Sequence, residues 1–193
     1  MKIVVGIILS VFLLLVLSFI VLYLIDLNQQ KAFNQKMTGK IELHKKSDGS
    51  VDINRSAPVI ETKEIIIDAP VQRVWNILVN INEWPVWQSE VTKVSLNGLP
   101  QKGVAFKWRA GGISFSSMIH SFEPCKFFGW TGTTFGAQAI HNWTFEETGG
   151  KTKLIVEESL QGLFPSLFTD KFCESLSAGM IKNLIEIKIA AEK

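Results

Sequence analysis

The 193-residue chain carries 20 Lys and Arg against 18 Asp and Glu, a formal net charge of +2, with 47% hydrophobic residues. So even a charge balance, with no basic stripe interleaved with aromatics, argues against a nucleic-acid partner. Cys125 and Cys173 are isolated, lack metal-ligand spacing and have no activating neighbour, so both read as buried bystanders.

Residues 3–25 form an apolar run broken only by Gly6, Ser10, Ser18 and Tyr23. As a helix the run is about 35 Å long, enough to cross a hydrocarbon core of about 30 Å. A cleaved signal peptide is the competing reading. Its apolar region is usually about 7 to 15 residues and ends in a small-x-small site, and nothing around residues 22–28 offers one. Residues 1–25 therefore read as an uncleaved single-span anchor. Only Lys2 precedes the span, whereas Lys31, Lys36, Lys40, Lys45 and Lys46 follow it. The positive-inside bias thus favours a cytoplasmic carboxyl-terminal domain. Residues 26–58 are polar and read as a tether with one short strand at 40–44, leaving residues 59–193 as a single domain.

Within that domain, 61–67 alternates and then turns β-branched, which predicts a strand. Asp68-Ala69-Pro70 predicts a helix start with Asp68 as N-cap, and Val71, Val74, Trp75 and Leu78 give the helix one apolar face. Trp84-Pro85-Val86-Trp87 predicts a second short helix or turn, whose indoles plug one end of the domain or form the lip of its opening. A meander follows: strands at 90–96 and 103–109, a tight turn at Gly111-Gly112, then a strand with Phe115, Ser117, Ile119 and Ser121 inward and His120 outward. The stretch 125–133 is strand-like with Trp130 inward, and Gly129 and Gly132 leave room for a bulge.

Gly149-Gly150 is the clearest register mark, because both positions of a two-residue hairpin turn accept positive φ. Counting outward pairs Glu146 with Lys153, Phe145 with Leu154, Trp143 with Val156 and His141 with Glu158. The ion pair falls on the outer face, and the imidazole and carboxylate fall on the apolar one. That combination predicts a cavity rather than a solid core. Residues 167–191 then carry Phe168, Phe172, Leu176, Met180, Leu184 and Ile187 at mostly four-residue spacing, an amphipathic helix. Its Gly179 costs about 1 kcal/mol against Ala, which asks for a compensating reason: space for a ligand, or close packing against the first helix of the domain.

Strand, helix, short helix, meander and long final helix is the order of an α+β helix-grip fold, here preceded by one transmembrane helix. Ile65-Ile66-Ile67-Asp68-Ala69-Pro70 with Val74-Trp75 and Trp84-Pro85-Val86-Trp87 resembles the opening signature of the START-like, or SRPBCC, superfamily. Phe106-Lys107-Trp108, Trp130-Thr131-Gly132, His141-Asn142-Trp143 and Glu157-Glu158-Ser159 resemble its polyketide cyclase/dehydrase and lipid-transport branch. The resemblance spans residues 59–191 and implies a curved antiparallel sheet gripping the long helix, with a deep apolar cavity between them. The face assignments place Phe106, Trp108, Phe115, Ser117, Trp130, His141, Trp143, Val156 and Glu158 on its concave side, opposite Leu176 and Met180.

Three functions compete on this sequence. The first is a membrane-tethered module that binds a lipid or another hydrophobic small molecule. The second is a cyclase, dehydratase or hydrolase with His141 and Glu158 as acid/base pair, although no activated nucleophile accompanies them. The third is a protein-interaction module. No metal cluster, phosphate loop or nucleotide motif is present, so neither a metal nor a cofactor is expected.

Overall fold

The computed structural model describes residues 2–35, 46 and 50–193, with backbone only at 2, 3 and 34. The strand expected at 40–44 lies outside the described residues.

Helix α1 (Lys2–Gln35) contains the apolar run but continues ten residues past Ile25. Its segment Val4–Phe33 is long and apolar enough to cross a membrane. Beyond the run the helix turns onto the domain: Asp26 and Phe33 are buried, and Asp26 Oδ1 accepts a hydrogen bond from the Gly136 N–H at 2.9 Å. Phe33 packs with Ile53 and Ile140 in a small second cluster. The polar stretch between anchor and domain is therefore docked at both of its described ends.

Seven antiparallel strands follow, β1 (Val59–Ile67), β2 (Val91–Leu96), β3 (Ala105–Ala110), β4 (Ile113–Glu123), β5 (Phe127–Thr134), β6 (Ala137–Thr148) and β7 (Lys151–Gln161). They form one sheet in the order β1-β7-β6-β5-β4-β3-β2. Helix α2 (Val71–Val79), a 3-10 turn (Ile81–Glu83) and α3 (Trp84–Trp87) connect β1 to β2, while α4 (Leu163–Leu167) and α5 (Thr169–Ala191) complete the chain. The hairpin counting holds at both turns: His141 pairs with Glu158 and Trp108 with Phe115.

Four local readings change. Pro70, not Asp68, occupies the N-cap position of α2, and no side chain caps the helix; Asp68 instead accepts from Lys151 at 3.0 Å. Ser121 leaves the inner face. The β4–β5 register shifts between Ile119 and Ser121, so a bulge at His120 inserts one residue and reverses the alternation beyond it. Ser121 then opposes Gly129 on the convex side, where its Oγ accepts from the Val51 N–H. His120 does point outward, yet it is buried, because the segment around Val51 covers that face.

The final helix is also broken. Phe168, at φ −129° and ψ 43°, separates α4 from α5 and is 52% exposed rather than part of the buried stripe. Both cysteines are half-buried rather than buried. A Cβ added at Gly179 would meet nothing within 4 Å, so neither a close helix approach nor a neighbouring side chain explains the glycine. Gly179→Ala is accordingly expected to stabilise the fold by about 1 kcal/mol, read as a higher urea midpoint of unfolding; a lower midpoint would contradict the exposed placement.

The packed core lies at one end of the concave face. Trp75 contacts Phe122 and Phe145 at ring distances of 5.2 Å and Phe128 at 6.2 Å. Leu154, Ile67, Leu78, Leu184 and Ile187 close around it.

Candidate functional site

Register builds the site row by row, because inward residues of neighbouring strands stand side by side across a sheet. One row runs Glu61, Glu158, His141, Trp130, Ile119 from β1 to β4. On the core side of it lie Lys63, Val156, Trp143 and Phe128. On the other side, toward the β5–β6 turn, the row is Leu160, Ala139, Gly132, Ser117, Phe106. Three small residues at its centre leave the middle of that row low. A Cβ added at Gly132 would meet only Ala139 and the Ser117 Oγ, at ordinary distances of 3.7 and 3.8 Å.

The helix above is uneven in the same way. Its carboxyl-terminal half is buried at Met180, Leu184 and Ile187 and is tied down by Lys182 to Glu90 at 2.8 Å and by Glu186 to the Ser89 hydroxyl at 2.6 Å. In the amino-terminal half Phe172, Leu176 and Ser177 are only half-buried. Among the described residues, no side chain from Asp170 to Met180 makes a hydrogen bond or ion pair. The concave face is thus packed under one half of α5 and thinly covered under the other.

His141 sits at the boundary. Its ring stacks on Trp130 at 4.4 Å and 15°, and Trp130 in turn contacts Trp84 at 5.2 Å. Nδ1 lies 2.5 Å from Glu158 Oε2. An ionised carboxylate only accepts, so Nδ1 donates to it, and whenever the ring is neutral Nε2 keeps a lone pair. Nε2 is buried and has no hydrogen-bond partner. The His141 and Glu158 side chains are 10% and 13% exposed.

The other expected site residues divide between wall and opening. Phe106, Trp130, Trp143, Val156 and Met180 are buried in the core cluster. Trp108 stacks on Phe115 at 4.6 Å, donates from Nε1 to the Ser117 Oγ at 3.0 Å, and with Phe115 and Leu176 is half-buried. Trp84 is a plug: it is 1% exposed and its Nε1–H donates to the Leu78 carbonyl. Trp87 faces a different place, a groove of about 640 Å³ shared with Arg73, Asn76 and Val86 on the outside of α2.

Glu61 and Lys63 are additions that the sequence pattern did not supply. They pair with each other at 2.5 Å on the concave side of β1, and Glu61 stands directly opposite Glu158. Alternation across Val59, Glu61, Lys63 and Ile65 carried the signal, but the triple isoleucine 65–67 is apolar on both faces and hides the parity.

The model of the polyketide cyclase/dehydrase and lipid transport family matches residues 59–187. The chain belongs to this family, within the SRPBCC superfamily. No curated protein is significantly similar in sequence. Among solved structures, a hypothetical protein of Helicobacter pylori is similar at 15% identity and TM-score 0.65, covering 72% of this chain and 91% of its own. ZhuI aromatase/cyclase from Streptomyces sp. R1128 is similar at 14% identity and TM-score 0.57, covering 69% and 93%. A Thermus thermophilus protein gives 14% identity and TM-score 0.59, covering 69% and 99%. At these identities the likeness is one of fold, and helix α1 lies outside the family match.

Proposed function

We propose that this family member is a membrane-anchored module that binds a lipid or another hydrophobic small molecule under the amino-terminal half of α5. The observation that carries the reading is His141: one nitrogen is committed to Glu158, and the other is buried, unpaired and set beside a row of small residues. A buried polar atom without a partner costs about 1 to 3 kcal/mol, and a ligand hydroxyl donating to Nε2 would relieve it. Trp108, Phe115 and Leu176 supply the apolar contact, at about 25 cal/mol per Å² buried. Retention of the anchor is supported by Asp26 and Phe33, whose removal with a cleaved leader would uncover the Gly136 N–H and Ile140. The lysine excess after the span supports a cytoplasmic domain.

Native mass spectrometry of the full-length chain, with extraction and identification of the bound molecule, tests this. A near-stoichiometric hydrophobic ligand is expected, and His141→Leu should weaken its binding about tenfold, as for one lost hydrogen bond of about 1.4 kcal/mol. Unchanged affinity in His141→Leu would remove the orienting role. The unpartnered Nε2 also favours a second reading, acid/base catalysis on the bound molecule. Its distinguishing result is turnover of the extracted ligand that Glu158→Gln slows while binding persists.

A further inference from the structure

A second cleft, on the opposite side of the sheet from His141, lies where the domain meets α1. It has a volume of about 590 Å³ and is lined by Leu22, Ile25, Gln29 and Ala32 of α1 and by Gln138 and Ser166, among others. Leu22 and Ile25 belong to the end of the apolar run, and Gln29 lies one helical turn beyond, about 6 Å further along the axis. The cleft therefore straddles the level at which hydrocarbon gives way to the polar region of a bilayer. The domain reaches the same level: Phe135, at the β5–β6 turn, contacts Phe19 and Tyr23 of α1 at 5.9 and 6.1 Å, and Phe164 of α4 at 5.6 Å.

A chain of side-chain amides ends in this cleft, and its direction is set from the far end. The Ser56 N–H donates to Asn54 Oδ1, so Asn54 presents its Nδ2 to Gln161 Oε1 at 2.6 Å. Gln161 Nε2 then donates to Gln138 Oε1 at 3.4 Å. Gln138 is left with its Nε2 donors, which are buried and have no partner, in a residue only 3% exposed. The cleft thus offers donors to an acceptor that the described residues do not provide. Among the described residues its lining has no Lys or Arg, and the one carboxylate there, Asp26, is already engaged by the Gly136 N–H and by Gln30. A phosphate would meet an anion there without a counter-charge; a neutral carbonyl would not.

We propose that this cleft holds one glycerolipid, its acyl chain along Leu22 and Ile25 and an ester carbonyl accepting from Gln138 Nε2. The proposal rests on α1 being a membrane span, and it concerns a site separate from the concave face. The lipid would act as a resident wedge between anchor and domain, setting the angle at which the domain stands on the membrane.

The test uses the full-length chain in micelles doped either with a diacyl phosphatidylcholine or with its dialkyl ether analogue, which lacks the ester carbonyls, and counts retained lipid by native mass spectrometry. Retention of one diacyl lipid, several-fold above the ether analogue, is expected. Gln138→Met should abolish that preference, and Ala32→Trp, at an exposed helix position, should expel the lipid by filling the cleft without disturbing the sheet. Ser117→Phe, which obstructs the concave face and would exclude any ligand held there, should leave the diacyl-over-ether preference unchanged. Equal retention of both lipids, or a preference that survives Gln138→Met and Ala32→Trp, overturns the proposal. Alkaline extraction of native membranes separates the two failures: a chain released from the bilayer refutes the anchor and the cleft together, whereas a retained chain without ester preference refutes the cleft alone.

Discussion

Acidification from pH 6.5 to pH 3 is expected to remove about 4 kcal/mol of folding stability through one residue, His120. Burial pushes its pKa down from 6.5 to about 3, assisted by repulsion from His141 and Lys102 and opposed by a backbone hydrogen bond at Trp130. The unfolded chain therefore binds a proton below pH 6.5 that the folded chain refuses until about pH 3. The neutral ring's contribution is complete above pH 6.5 and declines as pH falls through that window, by about 2 kcal/mol at pH 5. Asp52 behaves differently: burial raises its pKa but is outweighed by hydrogen bonds from Arg55 and the Ile53 N–H, leaving it below 3.8. Its contribution, like that of Glu192, whose carboxylate the Lys188 hydrogen bond holds below 4.5, is lost only below about pH 5, so the interval from pH 6.5 to about pH 5 reports His120. Urea unfolding of the wild type and of His120→Gln across this interval measures it. The variant is expected to start less stable at pH 7, having lost the Nδ1 to Ser121 contact of 2.9 Å, and to show a flat profile where the wild type slopes. Parallel slopes would mean that the ring is not held neutral by burial.

That histidine also shows where sequence reading stops. The two Gly-Gly turns carry their own register, so the pairs His141/Glu158 and Trp108/Phe115 could be counted without reference to the rest of the chain. The inward parity of β4 could be counted only as far as Ile119. Gly129 marks a place where a bulge could fall, but on its own strand; the inserted residue is His120 of the neighbouring strand, and its effect on Ser121 is visible only once the two strands are paired. The cover on the His120 side comes from the segment at Val51, about 70 residues earlier in a stretch whose polar composition reads as linker. A backbone that docks by its own N–H and carbonyl groups, as Val51 does to Ser121 and Asn142, leaves no side-chain pattern.

The site was legible to a similar depth. His141 and Glu158 follow from alternation alone, and so do the aromatics that flank them. Glu61 and Lys63 needed the β1–β7 register, which joins segments nearly 100 residues apart. The break at Phe168 was hidden for a different reason. Its four-residue spacing to Phe172 continues the apolar stripe of α5, yet the chain turns there, and an apolar side chain is exposed where periodicity alone would bury it. For Ser121, His120, Glu61 and Lys63 the missing term is a contact distant in sequence; at Phe168 it is a local turn that the apolar spacing does not reveal.

Two glycines on β5 turn these face assignments into a measurement. Gly129 and Gly132 are three residues apart on one strand and so belong to opposite faces. A Cβ at Gly129 would stand 2.6 Å from His120 Cε1, 2.7 Å from Asn142 Oδ1 and 3.1 Å from the His141 carbonyl. None of the three yields easily. His120 is the buried bulge residue and its ring is held to the Ser121 hydroxyl, Asn142 is held by its donation to the Val51 carbonyl at 2.7 Å, and the carbonyl is backbone. Gly129→Ala is therefore expected to cost about 3 kcal/mol and to loosen the segment around Val51 from the sheet. At Gly132 the same methyl group meets only van der Waals contacts on the concave side, and replacing glycine within an accessible backbone region is worth about 0.5 kcal/mol in favour of the fold. Gly132→Ala should therefore be neutral to stabilising while it narrows the low row beneath α5. Urea midpoints of the two variants give the comparison: a large fall for Gly129→Ala beside a small rise for Gly132→Ala identifies the convex side of the sheet as the filled one at this strand. Equal losses at both positions would mean that the concave row at Ser117, Gly132 and Ala139 is as tightly packed as the rest of the core, and would leave no room there for a bound molecule.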